Sequence, residues 1–228
     1  LKFWNWVKNE DGRTLYLDGY IAQESWFDDD VSPREFKAEL EEADGDITLW
    51  INSPGGDVFA ASQIYTMLKE YQGKITVKID GIAASAASVI AMSGDEVLMS
   101  PTAMMMLHNP ATIVWGEEAD IKKGIEMLSE VKESIINAYE QKTGLLRNKI
   151  SNMMDRETWM SAKKAHELGF CDQVLYTEQA IPEAIMNGFM FDKVTVTNNF
   201  MGKLPKTSEP KETGTPYNHL AKRLEILK

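Results

Sequence analysis

The sequence predicts an α/β fold. Two observations carry that prediction. Between Thr14 and Leu175, short β-branched apolar runs alternate with segments of helical spacing. One amphipathic stretch, Glu117 to Gln141, is far longer than the rest.

Each element has a local reason. Thr14 to Ile21 reads as a first strand. Ser32-Pro33-Arg34-Glu35 opens a helix, with serine as N-cap, proline in the first turn and glutamate completing a capping box. Phe36, Leu40 and Ala43 share one face of it. Ile47 to Ile51 is apolar and β-branched, and its strand is expected to stop at Pro54-Gly55-Gly56. Apolar residues at Ile64, Met67, Leu68 and Tyr71 make Phe59 to Tyr71 a helix. Lys74 to Asp80 alternates as a strand, with Ile75, Val77 and Ile79 on one side.

The small residues from Ala83 to Ala91 predict a closely packed helix. Glu96 to Met99 and Ala103 to Leu107 read as strands. Ile121, Ile125, Leu128, Ile135 and Tyr139 stripe the long helix in nearly a heptad rhythm. Ser161 to Leu168 forms a shorter helix ended by Gly169, and Asp172 to Leu175 a last strand. After Tyr176 the composition changes. Lys203 to Pro216 reads as a linker, and Leu220, Leu224 and Leu227 stripe a short tail helix. The predicted organisation is an N-terminal segment over 1–12, a domain over 13–177 and an extension over 178–228.

Bulk properties exclude several functions. The net charge of −11 disfavours a nucleic-acid partner. The single cysteine, Cys171, allows no intramolecular disulfide, which suits a reducing cytoplasm. His108, His166 and His219 are the only histidines, and none belongs to a metal-ligating cluster, so neither metal nor cofactor is expected. Leu1 to Lys8 does not read as a signal peptide, and no window approaches the ~18 apolar residues of a membrane helix. The expectation is a soluble cytoplasmic protein.

Three segments carry chemistry: Ile51–Gly56, Gly81–Ser88 and Met104–Pro110. A glycine turn between strand and helix can present backbone N–H groups, and Gly56 is the candidate oxyanion donor. Ser85 stands at the start of the small-residue segment, just after a strand, where the amide of Ala86 would be a second donor. Serines among alanines usually mark close helix packing, and Ser88 fits that reading. No Gly-x-Ser-x-Gly elbow occurs, which disfavours an α/β-hydrolase. His219 lies in the tail and His166 among lysines, so elimination leaves His108 as the base. Both Asp155 and Glu157 are candidates for the acid that would orient it, and composition does not choose between them.

In this order, the segments resemble the caseinolytic protease family ClpP, and more narrowly the ClpP-like proteases encoded with phage capsid genes. Ile51–Gly56, Gly81–Ser85, Met106–Pro110, Trp159–Ala162 and Ala165–Asp172 carry the resemblance, which covers about Gly12 to Tyr176. It implies Ser85 as nucleophile, His108 as general base, and Gly56 and Ala86 as oxyanion amides. Glu157 falls where the family has its catalytic aspartate, with Asp155 as the alternative. It further implies the ββα spiral shared by ClpP and the crotonases, with the 117–141 helix as a handle that stacks homo-oligomeric rings. Two features depart from the family: glutamate replaces aspartate, and Phe3-Trp4-Asn5-Trp6 is unlike the segment that meets an unfoldase, which puts an ATPase partner in doubt.

The expected function is a serine endopeptidase working through an acyl-enzyme on scaffold or capsid precursors, in the host cytoplasm or the procapsid. The alternatives are a host-type ClpP subunit fed by an ATPase, a crotonase-like acyl-CoA enzyme, and an inactive ring-forming assembly protein. A serine–lysine dyad using Lys69, Lys74 or Lys78 ranks below these because His108 is at hand.

Overall fold

A computed structural model describes residues 2–9, 12–22 and 33–176. The Ser32 cap, the 203–216 linker, His219 and the tail helix lie outside them. The described residues form β1 (Trp4–Asn9), β2 (Gly12–Ile21), α1 (Pro33–Leu40), β3 (Ile47–Gly56), α2 (Val58–Glu70), β4 (Ile75–Ala84) and α3 (Ala86–Ala91). Then follow β5 (Glu96–Met99), β6 (Met104–Leu107), α4 (Glu118–Thr143), α5 (Arg147–Asp155), β7 (Thr158–Ser161), α6 (Ala162–Glu167) and β8 (Gln173–Val174).

The sheet runs β1-β2-β3-β4-β5-β8, with β6 pairing β4 and β7 off that path. From β2 to β8 the path is parallel, which fits strands joined by helices. Alternation sets the buried face: Ile47, Leu49 and Ile51 of β3 and Ile75, Val77 and Ile79 of β4 are almost fully buried. Ala60, Ala61, Ile64 and Leu68 are the buried residues of α2. That helix starts where the Asp57 carboxylate accepts the Ala60 N–H at 2.8 Å.

β4 is the strand that turns the layer. Its first half pairs with β5 through Thr76–Ile79, and its last residues, Ile82–Ala84, pair with β6. One strand thus belongs to two successive turns of the sheet, the arrangement of the expected spiral. The end of β4 and the end of β6 finish side by side as a result.

Four features differ from the sequence reading. β3 does not stop at Pro54 but continues to Gly56, because Gly55 and Gly56 pair with Tyr20 and Ile21 after a register shift. A Cβ on Gly56 would lie 2.0 Å from the Ile21 carbonyl oxygen, so only glycine permits that approach. β4 runs to Ala84 and the helix begins only at Ala86, since Ala83 and Ala84 are claimed by Met105 and Met106. α5 and β7 occupy a stretch with no predicted element. Finally, β1 lies within the 1–12 segment and pairs antiparallel with β2, with Phe3 and Trp4 buried.

Arg13 of β2 is buried. Its guanidinium donates to the carbonyls of Glu39, at 2.6 Å, Leu40, at 2.8 Å, and Ala43, and lies over the Trp6 ring. A cation here satisfies the orphan carbonyls at the end of α1 and opposes the helix dipole. Arg13→Ala should lower unfolding free energy by about 2–4 kcal/mol, because three buried or part-buried acceptors lose a charged donor. Arg13→Lys should recover under half of that, for want of a planar fork. Urea denaturation of the three proteins checks both expectations.

Candidate active site

Ser85 is the single residue between β4 and α3, and it holds φ 54° and ψ −126°. Positive φ is unfavourable for serine, so the neighbours must impose it. Its N–H donates to the Met106 carbonyl at 2.9 Å. Its own carbonyl accepts the Ser88 N–H at 2.9 Å and the Ser88 hydroxyl at 2.6 Å. A sharp strand-to-helix elbow therefore exists without the glycine-flanked motif.

Gly55 is a glycine for a steric reason. A Cβ on Gly55 would meet the Ala84 carbonyl oxygen at 2.6 Å and the Ser85 Cβ at 2.7 Å. The glycine turn of β3 thus packs directly on the elbow, and Gly55 itself has φ 98°.

His108 comes from the other side. β6 runs parallel to the end of β4, with Met106 opposite Ala84, so the residues just beyond β6 emerge beside Ser85. The His108 Nε2 lies 2.7 Å from the Ser85 Oγ. In the tautomer protonated at Nδ1, Nε2 accepts the hydroxyl proton, the geometry of a serine activated by a general base.

The two acid candidates differ in their hydrogen-bond partners. β6 and β7 pair antiparallel, Met106 with Trp159 and Leu107 with Thr158, and Glu157 immediately precedes β7. The Trp159 indole N–H donates to Glu157 Oε1 at 3.2 Å. Asp155 instead takes Lys132 at 2.6 Å and the Asn109 amide at 2.9 Å on one oxygen. Those two bonds, Lys132 first, hold its carboxyl below the usual range.

Gly56 and Ala86 line the same cavity as Ser85 and His108, a hollow of about 460 Å³. Its far wall is apolar, from Val89 of α3 to Leu128, Val131, Ile135 and Tyr139 of α4. Lys69, Lys74 and Lys78 do not line it. His166 is exposed on α6, and its Nδ1 pairs with the Cys171 carbonyl. Burial pushes the Cys171 thiol up to about 11, so no competing thiolate forms near neutral pH. No cluster of three His, Cys, Asp or Glu that could hold a metal exists among the described residues. No described helix is long and apolar enough to cross a membrane.

Sequence reasoning did not assign Asn109 and Lys132 a place in the site, and it took Ser88 and Tyr139 as packing. Asn109 had a signal, its position next to His108. Lys132 is one of many charges on α4, and nothing in its spacing distinguished it.

Gly55→Ala should slow fluorophosphonate labelling of Ser85 by about 10²-fold, since the new methyl displaces the elbow. Labelling kinetics followed by intact mass measure this. An unaltered rate would mean that the elbow yields without cost.

Comparison with known proteins agrees in extent and order with this geometry. The family model for Clp protease matches residues 16–178. The chain is 32% identical over 171 residues to the ATP-dependent Clp protease proteolytic subunit 1 of Chlamydia muridarum (strain MoPn / Nigg), covering 73% of this chain and 88% of that protein. The same figures hold for the subunit 1 of Chlamydia trachomatis serovar D. The ATP-dependent Clp protease proteolytic subunit of Bacteroides fragilis is 30% identical over 154 residues, covering 64% of this chain and 74% of its own. Because the match spans most of the chain and contains the whole elbow-and-imidazole arrangement, this protein belongs to the Clp protease family and is a serine-type peptidase.

Proposed function

We propose that the protein is an endopeptidase in which Ser85 attacks the scissile carbonyl while His108 takes its proton. The oxyanion rests on the amides of Gly56 and Ala86, His108 then protonates the leaving amine, and water hydrolyses the acyl-enzyme. Glu157 steadies the imidazolium. The observation that carries the reading is the 2.7 Å contact between Ser85 Oγ and His108 Nε2 at a strained elbow. A crotonase-like acyl-CoA enzyme or an inactive shell protein would have no use for that pair.

The substrate in this reading is a scaffold or capsid precursor of a phage or prophage, cut in the host cytoplasm or procapsid. Supporting it, the residues that differ from the family's pattern, Phe3 and Trp4, are spent on the protein's own core: Trp4 packs edge-on against Phe36. The active form is a homo-oligomeric ring, stacked through the 117–141 helix. Ile121 and Ile125 at the start of α4, and Ile113 and Trp115 just before it, are large apolar residues left exposed, which is what a stacking surface requires. A host-type subunit working with an ATPase is the second reading, favoured by the words "ATP-dependent" in the names of the relatives.

Ser85→Ala should abolish fluorophosphonate labelling and hydrolysis of a fluorogenic peptide. Glu157→Ala should lower kcat by about 10²-fold or more, whereas Asp155→Ala should cost less than about tenfold, because its carboxylate is committed to Lys132 and Asn109. The reverse ranking would transfer the acid role to Asp155. Co-expression with a capsid or scaffold precursor should give discrete fragments without nucleotide. Degradation only of unfolded chains, and only with an unfoldase and ATP, would favour the second reading.

A further inference from the structure

The Ser88 and Tyr139 side chains, 0% and 1% exposed, form a polar pair inside an otherwise apolar core. Their hydroxyls are 2.8 Å apart, and the Ser88 Oγ is also 2.6 Å from the Ser85 carbonyl. Proton count fixes the direction. A carbonyl only accepts, so the one Ser88 hydroxyl proton goes to Ser85, and Tyr139 must donate to Ser88. The chain therefore runs from the Tyr139 phenol, through the Ser88 hydroxyl, to the Ser85 carbonyl. Burial holds the phenol protonated far above the ordinary tyrosine range, so the donor persists at any working pH.

The carbonyl at the end of this chain belongs to the peptide unit that joins Ser85 to Ala86. That unit is planar and trans, so its C=O and the Ala86 N–H point in opposite directions. Fixing the carbonyl on the α4 side aims the amide at the cavity, which Ala86 lines. Two hydrogen bonds on the carbonyl, from the Ser88 N–H and Oγ, also polarise the amide and make its N–H a stronger donor. Packing alone would be served as well by phenylalanine and alanine at these positions.

We infer that Tyr139 is a positioning residue for the oxyanion amide, acting from the handle helix α4 through Ser88 on the Ser85–Ala86 peptide. The inference rests on the proposed reading that the Ala86 N–H is an oxyanion donor. It adds a role that touches no substrate atom through the hydroxyl, and it ties the long helix to transition-state stabilisation.

The test uses the full chain and three variants, Tyr139→Phe, Ser88→Ala and the double. Four quantities are read: kcat and KM on a fluorogenic peptide, the Ki of a peptide boronate, and the Ki of the matching product peptide. The boronate adds Ser85 Oγ to boron and puts a charged oxygen where the oxyanion sits, whereas the product peptide does not. Removing an oxyanion donor outright costs about 10²–10³-fold, so loosening one should cost about tenfold. Tyr139→Phe should lower kcat about tenfold with KM within about twofold, weaken the boronate by the same factor and leave the product peptide unchanged. Ser88→Ala should match or exceed it, and the double variant should be no worse than Ser88→Ala, as members of one chain are not additive.

Unchanged kcat and boronate affinity in Tyr139→Phe overturns the inference. So does a loss confined to KM, or losses that multiply in the double variant. Should Tyr139→Phe fail to fold, Ser88→Ala decides by the same readings, since it leaves the packing of α4 in place. A wild-type protein that fluorophosphonate does not label overturns the active-site reading and the inference together. A labelled wild type with an unimpaired Tyr139→Phe variant overturns the inference alone.

Discussion

Ser85 is held at φ 54°, ψ −126°, a conformation that costs about 1–3 kcal/mol in an ordinary L-residue. Three neighbours impose it: the Met106 carbonyl of β6, the Ser88 N–H of α3 and the Ser88 hydroxyl. Much of the local sequence follows from that one backbone angle. Gly55 is a glycine because a side chain there would strike the Ala84 carbonyl oxygen and the Ala86 nitrogen. Gly56 is a glycine because β3 must press onto Ile21 to bring the turn there. The parallel pairing of β6 with the end of β4 does two things at once, accepting the Ser85 N–H and delivering His108 to its hydroxyl.

What the sequence disclosed is what has a local cause. Alternation in β3 and β4, helical spacing in α2 and α4, and small residues around Ser85 are decided by neighbours a few positions away. The serine and histidine were legible for the same reason, one beside a strand end and the other immediately after a strand. What stayed hidden depends on partners far along the chain. Pro54 looks like a terminator until β2 is seen to accept Gly55 and Gly56 in its ladder. Ala83 and Ala84 look helical until β6 claims them. β7 is four residues long and exists because it returns antiparallel along β6. Ser88 and Tyr139 carried the marks of packing residues, and they do pack. Their hydroxyls meet only because α4 crosses α3.

The long helix α4 divides into two chemically different halves. Towards its C-terminal end, Ile135 and Tyr139 are buried, with Tyr139 packed edge-on to Phe170. Towards its start, the same stripe continues as Ile121 and Ile125, 48% and 60% exposed. A single apolar periodicity thus serves the protein's own core at one end and faces outward at the other. Leu128 and Val131, between the two, line the cavity beside Ser85. The helix is therefore a wall of the site along its middle and an exposed apolar surface towards its start.

The two carboxylates near the end of β6 sit in different backbone settings. Across an antiparallel ladder, directly opposite residues share a face, and alternate residues along each strand share it too. Met106 on β6 therefore shares a face with Trp159, its partner on the returning strand. Glu157 has φ 50°, and its N–H closes on the Met154 carbonyl, so the backbone turns sharply just before β7 begins. A side chain one methylene longer than aspartate starts from that turn, and the Trp159 indole N–H donates to its Oε1 at 3.2 Å. Asp155 lies at the end of α5, before the turn, and its carboxylate goes to Lys132 and Asn109. The two carboxylates are two residues apart in sequence, yet their partners differ: Asp155 takes a lysine and an amide, and Glu157 an indole N–H.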